Sequence, residues 1–141
     1  MIANDSKQWK DLCPTFNQIV TQMANYFAMD IKATRLNWYR NSEEWKPYHH
    51  DAAAIKPEIA KIQNVTVAAS FGAEREISFQ HAKKGTTVAI PQPNGCCYAF
   101  GKEVNIVWRH GVLQLPPEKQ HNRGRISIIC WGWCNLCPDE E

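Results

Sequence analysis

The sequence predicts a mostly β domain, a sandwich or jelly roll with a helix at its N-terminal side. Three observations predict it. One amphipathic helical stretch precedes a series of short β-branched or aromatic runs, turn-forming clusters separate those runs, and no repeat, linker or low-complexity segment divides the chain. The expected organisation is one domain over 1–141, with 1–35 as helical support, 36–133 as the jelly-roll core and 134–141 as a tail.

The helix is read from CPTFNQIVTQMANYFAM. Phe16, Ile19, Val20, Met23, Tyr26 and Phe27 recur at three- and four-residue steps and give one apolar face, and Pro14 suits a first turn. A stripe of this kind packs on a sheet far more often than it binds a cofactor. The strands are read from LNWY, NVTVAASF, EISFQ, TTVAI, CCYAF, VNIVW and RISIICW. Segments such as FGAE, AKKG, PQPNG, FGKE and LPPEKQHNRG punctuate them.

Composition narrows the function classes. With 141 residues, 44% hydrophobic, 21% charged and a net charge of +2, the chain is long enough for one sizeable core and carries no block of like charge. A broad basic face for tight duplex binding is not announced. The amino terminus has no apolar run and no stretch approaches a membrane span, so a monomer of the cytoplasm or nucleus, neither secreted nor membrane-bound, is expected. In that setting Cys13, Cys96, Cys97, Cys130, Cys134 and Cys137 are expected as reduced thiols. The tail CWGWCNLC groups three of them, but a closed zinc site needs a fourth ligand, and an apolar tail with thiols is the better reading.

The chemistry concentrates in NWYRNSEEWKPYHHDAAA. Side chains two apart on a strand share a face, so His49 and Asp51 can meet one metal ion while His50 points away. An H-x-D pair is weak alone; a third ligand sharpens it. His110 is the best candidate, because it closes an apolar run where an uncompensated imidazole is costly. His81 and His121 lie in polar, turn-like surroundings and read as solvated loop residues. Two histidines and a carboxylate with open positions form the non-haem Fe(II) oxygenase pattern. Such an oxygenase needs an electron source, commonly 2-oxoglutarate. Arg125, opening the last strand, suits the distal carboxylate of that dianion.

The order of these motifs resembles the AlkB family of Fe(II)- and 2-oxoglutarate-dependent dioxygenases. The family's N-x-Y is matched by Asn37-Trp38-Tyr39 and its H-x-D by His49-His50-Asp51. Its strand motif resembles Ser70-Phe71-Gly72-Ala73-Glu74-Arg75-Glu76-Ile77, and its small-residue turn Gly95-Cys96-Cys97-Tyr98-Ala99-Phe100. The distal histidine matches His110 and the R-x-[NS] strand Arg125-Ile126-Ser127. The resemblance implies a double-stranded β-helix with Fe(II) held by His49, Asp51 and His110 at one open end. Arg125 then grips 2-oxoglutarate, and Asn37, Tyr39 and Ser127 add hydrogen bonds. With O2, such a site oxidises a C–H bond while 2-oxoglutarate becomes succinate and carbon dioxide; at an N-methyl group the product collapses to formaldehyde and the demethylated nitrogen.

Three departures from the family pattern bear on substrate. Ala52, Ala53 and Ala54 stand where repair members carry acidic residues. Trp131 replaces the second arginine of the R-x-N-x-x-x-R motif, leaving that contact absent or supplied elsewhere, with Arg109 and Arg123 as the candidates to compensate. The short stretch ahead of Asn37 predicts a nucleotide-recognition lid that is absent or very short. The first functional expectation is oxidative demethylation or hydroxylation of a base in single-stranded or flipped nucleic acid. Trp38, Trp45 and Tyr48 would stack the base and Arg75 would contact the substrate, although rim packing is the commoner fate of such aromatics. The second is oxidation of a protein side chain or small molecule. The third, a non-catalytic jelly-roll module, is least consistent with an intact triad plus Arg125.

Overall fold

The computed structural model describes residues 2–3 and 10–135, with side chains from residue 10 onward. In chain order the elements are β1 (Ile2–Ala3), α1 (Pro14–Tyr26), β2 (Met29–Tyr39), β3 (Lys46–His49), a 3-10 turn (Ala52–Ala54) and α2 (Pro57–Ala60). There follow β4 (Val65–Gly72), β5 (Arg75–His81), β6 (Thr87–Gln92), β7 (Cys96–Gly101), α3 (Lys102–Val107), β8 (Trp108–Val112), a 3-10 turn (Pro117–Lys119) and β9 (Arg125–Cys134). The strands form a five-stranded sheet in the order β1-β2-β9-β4-β7 and a four-stranded sheet in the order β3-β8-β5-β6. Every pairing is antiparallel. This is the jelly-roll architecture expected from the strand pattern. Among the described residues no helix is long and apolar enough to cross a membrane.

The side-chain alternation of β4 and β9 explains the layering. Val65, Val67 and Ala69 of β4 and Cys130 and Cys134 of β9 turn to one face, where they pack with Met23, Met29 and the partly buried Ile19, Val20 and Phe27. That is the core under α1. Thr66 of β4 and Arg125, Ser127, Ile129 and Trp131 of β9 turn to the opposite face and line a pocket between the two sheets. Helix α1 starts with Pro14 at its first turn and ends where Ala28 takes a left-handed φ of 48°.

Strand β2 departs from simple alternation. Its register with β9 shifts between Ile31 and Ala33, and a bulge of this kind reverses which face the following residues occupy. Before it, Met29 and Ile31 join the core under α1; after it, Asn37 and Tyr39 line the pocket. Gly132 makes the bulge possible, because a Cβ there would collide with the carbonyl oxygen of Asp30.

Two expectations about elements are corrected. VNIVW is not a strand: its first four residues close helix α3, and β8 begins at Trp108. The apolar trio Val104, Ile106 and Val107 is exposed while Asn105 is buried, so an apolar run that reads as β here covers no core. Strand β2 also begins at Met29, inside the stretch assigned to helical support.

Candidate metal centre

His49 on β3 and His110 on β8 are direct cross-strand partners, so their side chains leave the sheet on one face, with ring centroids 4.4 Å apart. Beyond β3 the chain stays extended through Asp51, at φ −71° and ψ 155°. That returns the carboxylate to the face of His49. One donor atom from each of His49, Asp51 and His110 lies within 4.8 Å of the others. Nε2 of His110 is 3.5 Å and Nε2 of His49 is 3.9 Å from the same oxygen, Oδ1 of Asp51.

Neighbouring groups set the orientation of each donor. Nδ1 of His49 donates to the Pro47 carbonyl at 2.9 Å, which leaves the lone pair on Nε2. Oδ2 of Asp51 accepts from the Thr66 hydroxyl at 2.8 Å, which leaves Oδ1 facing the histidines. The backbone N–H of Asp51 donates to Oδ1 of Asn105 at 2.9 Å, and Nδ1 of His50 meets the Asn105 carbonyl at 2.6 Å. His50 therefore turns away from the cluster, as alternation predicts, and ties the ligand-bearing turn to α3. Gly111 lets β3 lie close over β8: a Cβ there would come within 2.6 Å of the Lys46 carbonyl oxygen.

The electrostatics suit a cation. Burial by itself pushes the Asp51 carboxyl up, but the hydrogen bond and charge of His110, the facing Trp131 indole and the Thr66 hydroxyl outweigh it and hold the group at about 2. Burial pushes His49 below its ordinary value, against the hydrogen bond to Pro47. Near neutral pH the carboxylate is ionised and the His49 imidazole is neutral, which is the protonation a metal requires.

Deeper in the same pocket lie the residues expected to hold a co-substrate. Arg125 is 3% exposed; its Nε donates to the Ser70 hydroxyl at 2.7 Å, while its Nη1 is buried with no hydrogen-bond partner. Tyr39 lies beneath its guanidinium, 5.3 Å from the ring centre, and burial raises the phenol's pKa while the Arg125 and Arg75 charges oppose the rise. Asn37 and Ser127 are cross-strand partners beside them, and Oδ1 of Asn37 is also buried without a partner. Buried donors without acceptors are costly. A carboxylate would satisfy Arg125, and a divalent cation suits the His-Asp-His donors.

The expected substrate residues divide. Trp38 and Trp45 are 43% and 48% exposed and flank a cleft of about 440 Å³ that shares Asn37, Tyr39 and Lys46 with the metal pocket. Tyr48 is not at this mouth. It alternates with His49 to the other face of β3, where its hydroxyl bonds Ser78 at 2.6 Å. Arg75 is not at the mouth either. It is 3% exposed and donates to the main-chain carbonyls of Glu44 and Leu113, so it fastens two loops. His81 and His121 lie outside the cluster, each accepting backbone N–H groups of its own turn.

The family model for 2OG-Fe(II) oxygenases matches residues 3–130. The chain belongs to the 2OG-Fe(II) oxygenase superfamily. Among solved structures this superfamily member is similar in fold to OsALKBH1, with a TM-score of 0.58 at 15% identity over 88% of this chain and 64% of that one. It is also similar to a Pseudomonas putida prolyl-4-hydroxylase, with a TM-score of 0.48 at 11% identity over 93% of this chain and 69% of that one. The chain thus spans a little under two thirds of the OsALKBH1 chain. No curated protein matches its sequence.

Sequence reasoning about this oxygenase-family chain missed several pocket residues. Thr66 lines the site from a strand that reads only as an apolar run, Tyr98 lines it from the stretch matched to the small-residue turn, and Asn105, which accepts from the Asp51 N–H, is hidden inside VNIVW. Lys46 also lines the pocket; an isolated lysine before Pro47 gives no signal. The grouped tail cysteines form no metal cluster among the described residues; Cys137 lies outside them. Cys130 and Cys134 are buried on the α1 side, where the Cys134 thiol donates to the Phe27 carbonyl at 3.0 Å.

Proposed function

We propose that this chain is an Fe(II)- and 2-oxoglutarate-dependent dioxygenase that demethylates or hydroxylates a nucleic-acid base. The observation that carries the reading is the convergence of His49, Asp51 and His110 in one pocket with Arg125, whose buried Nη1 has no hydrogen-bond partner. His49, Asp51 and His110 would hold Fe(II), and Arg125, Tyr39, Asn37 and Ser127 would hold 2-oxoglutarate. When bound, the metal and co-substrate supply O2 activation and C–H oxidation, with succinate and carbon dioxide as co-products.

The chain's own residues do the rest. Thr66 and Pro47 keep Asp51 and His49 turned toward a common point, so ligand geometry is set before the metal arrives. Arg125 and the phenol of Tyr39 orient the dicarboxylate along the pocket, and the apolar walls Ile77, Val112 and Ile129 limit water around the reacting carbon. Trp38 and Trp45 at the adjoining cleft offer faces for an unstacked base, a contact worth about 1–3 kcal/mol each where it forms.

A second reading, oxidation of a protein side chain or small molecule, is favoured by the net charge of +2 and by Ala52–Ala54 beside Asp51. One assay separates the two. Succinate should form only with Fe(II) and 2-oxoglutarate and be abolished by His49→Ala. Formaldehyde should be released from methylated single-stranded oligonucleotides and not from methylated peptides; the reverse preference would replace the first reading with the second.

A further inference from the structure

Trp131 stands where the AlkB resemblance places a second arginine, and neither expected replacement supplies the charge. Arg109 alternates with His110 to the opposite face of β8 and donates to Oε1 of Gln80 at 2.6 Å. Arg123 is exposed in the loop ahead of β9.

A different cation takes the place. The bulge between Ile31 and Ala33 turns the later odd-numbered residues of β2 toward the pocket, and Arg35 is among them, opposite the pocket residue Ile129. Its guanidinium stacks 5.5 Å from the centre of the Trp131 ring, and its buried Nε has no hydrogen-bond partner. Lys46 lines the same pocket at the start of β3. Burial pushes the Lys46 ammonium's pKa down, the nearby Arg35 charge adds to the shift, and Asp51 opposes it. Arg35 and Lys46 therefore lie near one another beside Trp131, and Asp51, the carboxylate that offsets the Lys46 charge, is the one the proposed metal takes up.

The two arginines leave one pair of strands at separate points. Arg35 pairs with Ile129 and Tyr39 with Arg125 on the same two strands. The two arginines thus leave the sheet four residues apart in register, about 13 Å at 3.3 Å per residue.

We propose that Arg35, stacked on Trp131, and Lys46 form a second carboxylate grip at the metal end of the pocket, taking the keto-acid carboxylate of 2-oxoglutarate while Arg125 takes the distal one. The assignment rests on the pocket being a 2-oxoglutarate site and is independent of the oxidised substrate. The guanidinium lies over the Trp131 indole, so the charge that β9 lacks at position 131 is delivered from β2.

The test is calorimetric titration of the Mn(II)-loaded protein with 2-oxoglutarate and with 4-oxopentanoate, which keeps the ketone and distal carboxylate but has a methyl group in place of the keto-acid carboxylate. Arg35→Gln and Lys46→Gln should each weaken 2-oxoglutarate about tenfold to a hundredfold and leave 4-oxopentanoate unchanged. Arg125→Gln should weaken both, and Arg35→Lys should recover part of the loss. Unchanged 2-oxoglutarate affinity in Arg35→Gln overturns the grip, as does equal weakening of both ligands, which would mean that the substitution acts through the fold. A wild-type protein that binds Mn(II) but not 2-oxoglutarate overturns the co-substrate reading and the grip together.

Discussion

Asp51 meets three demands at once: it is buried, it faces two imidazoles through one oxygen, and its other oxygen is committed to Thr66. Its neighbour His50 shares none of them. Asp51→Ala should therefore abolish Mn(II) or Fe(II) binding, whereas His50→Ala should keep it and lose only stability, about 1 kcal/mol for one hydrogen bond to the Asn105 carbonyl. Equal loss of metal in both variants, measured by calorimetry, would contradict the observed facing of β3. The same residue sets an acid limb in the metal-free protein. Its carboxyl titrates at about 2 against an ordinary 3.8, so between those values the unfolded chain binds more protons than the folded one. The stability it provides is complete above roughly pH 4 and disappears as pH falls toward 2, on the order of 2 kcal/mol. His49, lowered from 6.5 chiefly by burial, acts with the same sign from pH 6.5 downward, because the unfolded imidazole takes up a proton that the folded one resists. Thermal melts of the metal-free protein against pH should show both limbs. Asp51→Asn should remove only the lower one.

Among the elements, α3 matters most for its smallness. It buries one side chain, Asn105, whose amide accepts from the Asp51 N–H and approaches the Asp51 carbonyl while its own carbonyl meets His50. Asn105→Ala leaves the Asp51 N–H without that acceptor in a buried site, which costs about 1–3 kcal/mol. Loosening the ligand turn should also weaken metal binding about tenfold or more; melting temperature and metal affinity, measured together, check both. This element also marks the limit of what the sequence made legible. Short β-branched and aromatic runs between turn clusters revealed most strands, and H-x-D with a distant histidine pointed to the three side chains that converge, because residue propensity and donor chemistry are written in the residues themselves. Asn105 was invisible because three exposed apolar neighbours imitate a strand. Arg35 was invisible for another reason: the β2 bulge changes face parity, and only pairing with β9 around Gly132 reveals it. Tyr48 and Arg75, expected at the substrate, face elsewhere because strand direction turns Tyr48 to Ser78 and two main-chain carbonyls hold Arg75.

At the scale of the molecule, one sheet serves two purposes on its two faces. The α1 side of β4 and β9 is apolar and packs against α1, and the other side carries the polar groups of the pocket. Because adjacent residues of one strand point to opposite faces, stability and ligand binding should be separable by substitutions a single position apart. Val67 is fully buried under α1 and Thr66 holds Oδ2 of Asp51 from the other face. Val67→Ala removes buried methyl groups from a packed core and should cost about 1–3 kcal/mol, seen as a lower melting temperature. The protein still folded at 25 °C should bind Mn(II) as the wild type does. Thr66→Val keeps shape and removes the hydroxyl, so its effect belongs to the ligand: Asp51 loses the bond that turns Oδ1 toward the histidines, and metal affinity should fall several-fold with a much smaller change in melting temperature. A Val67→Ala protein that loses metal in proportion to its stability would mean that the faces are mechanically coupled through the strand, and the division of the sheet into a supporting side and a working side would fail.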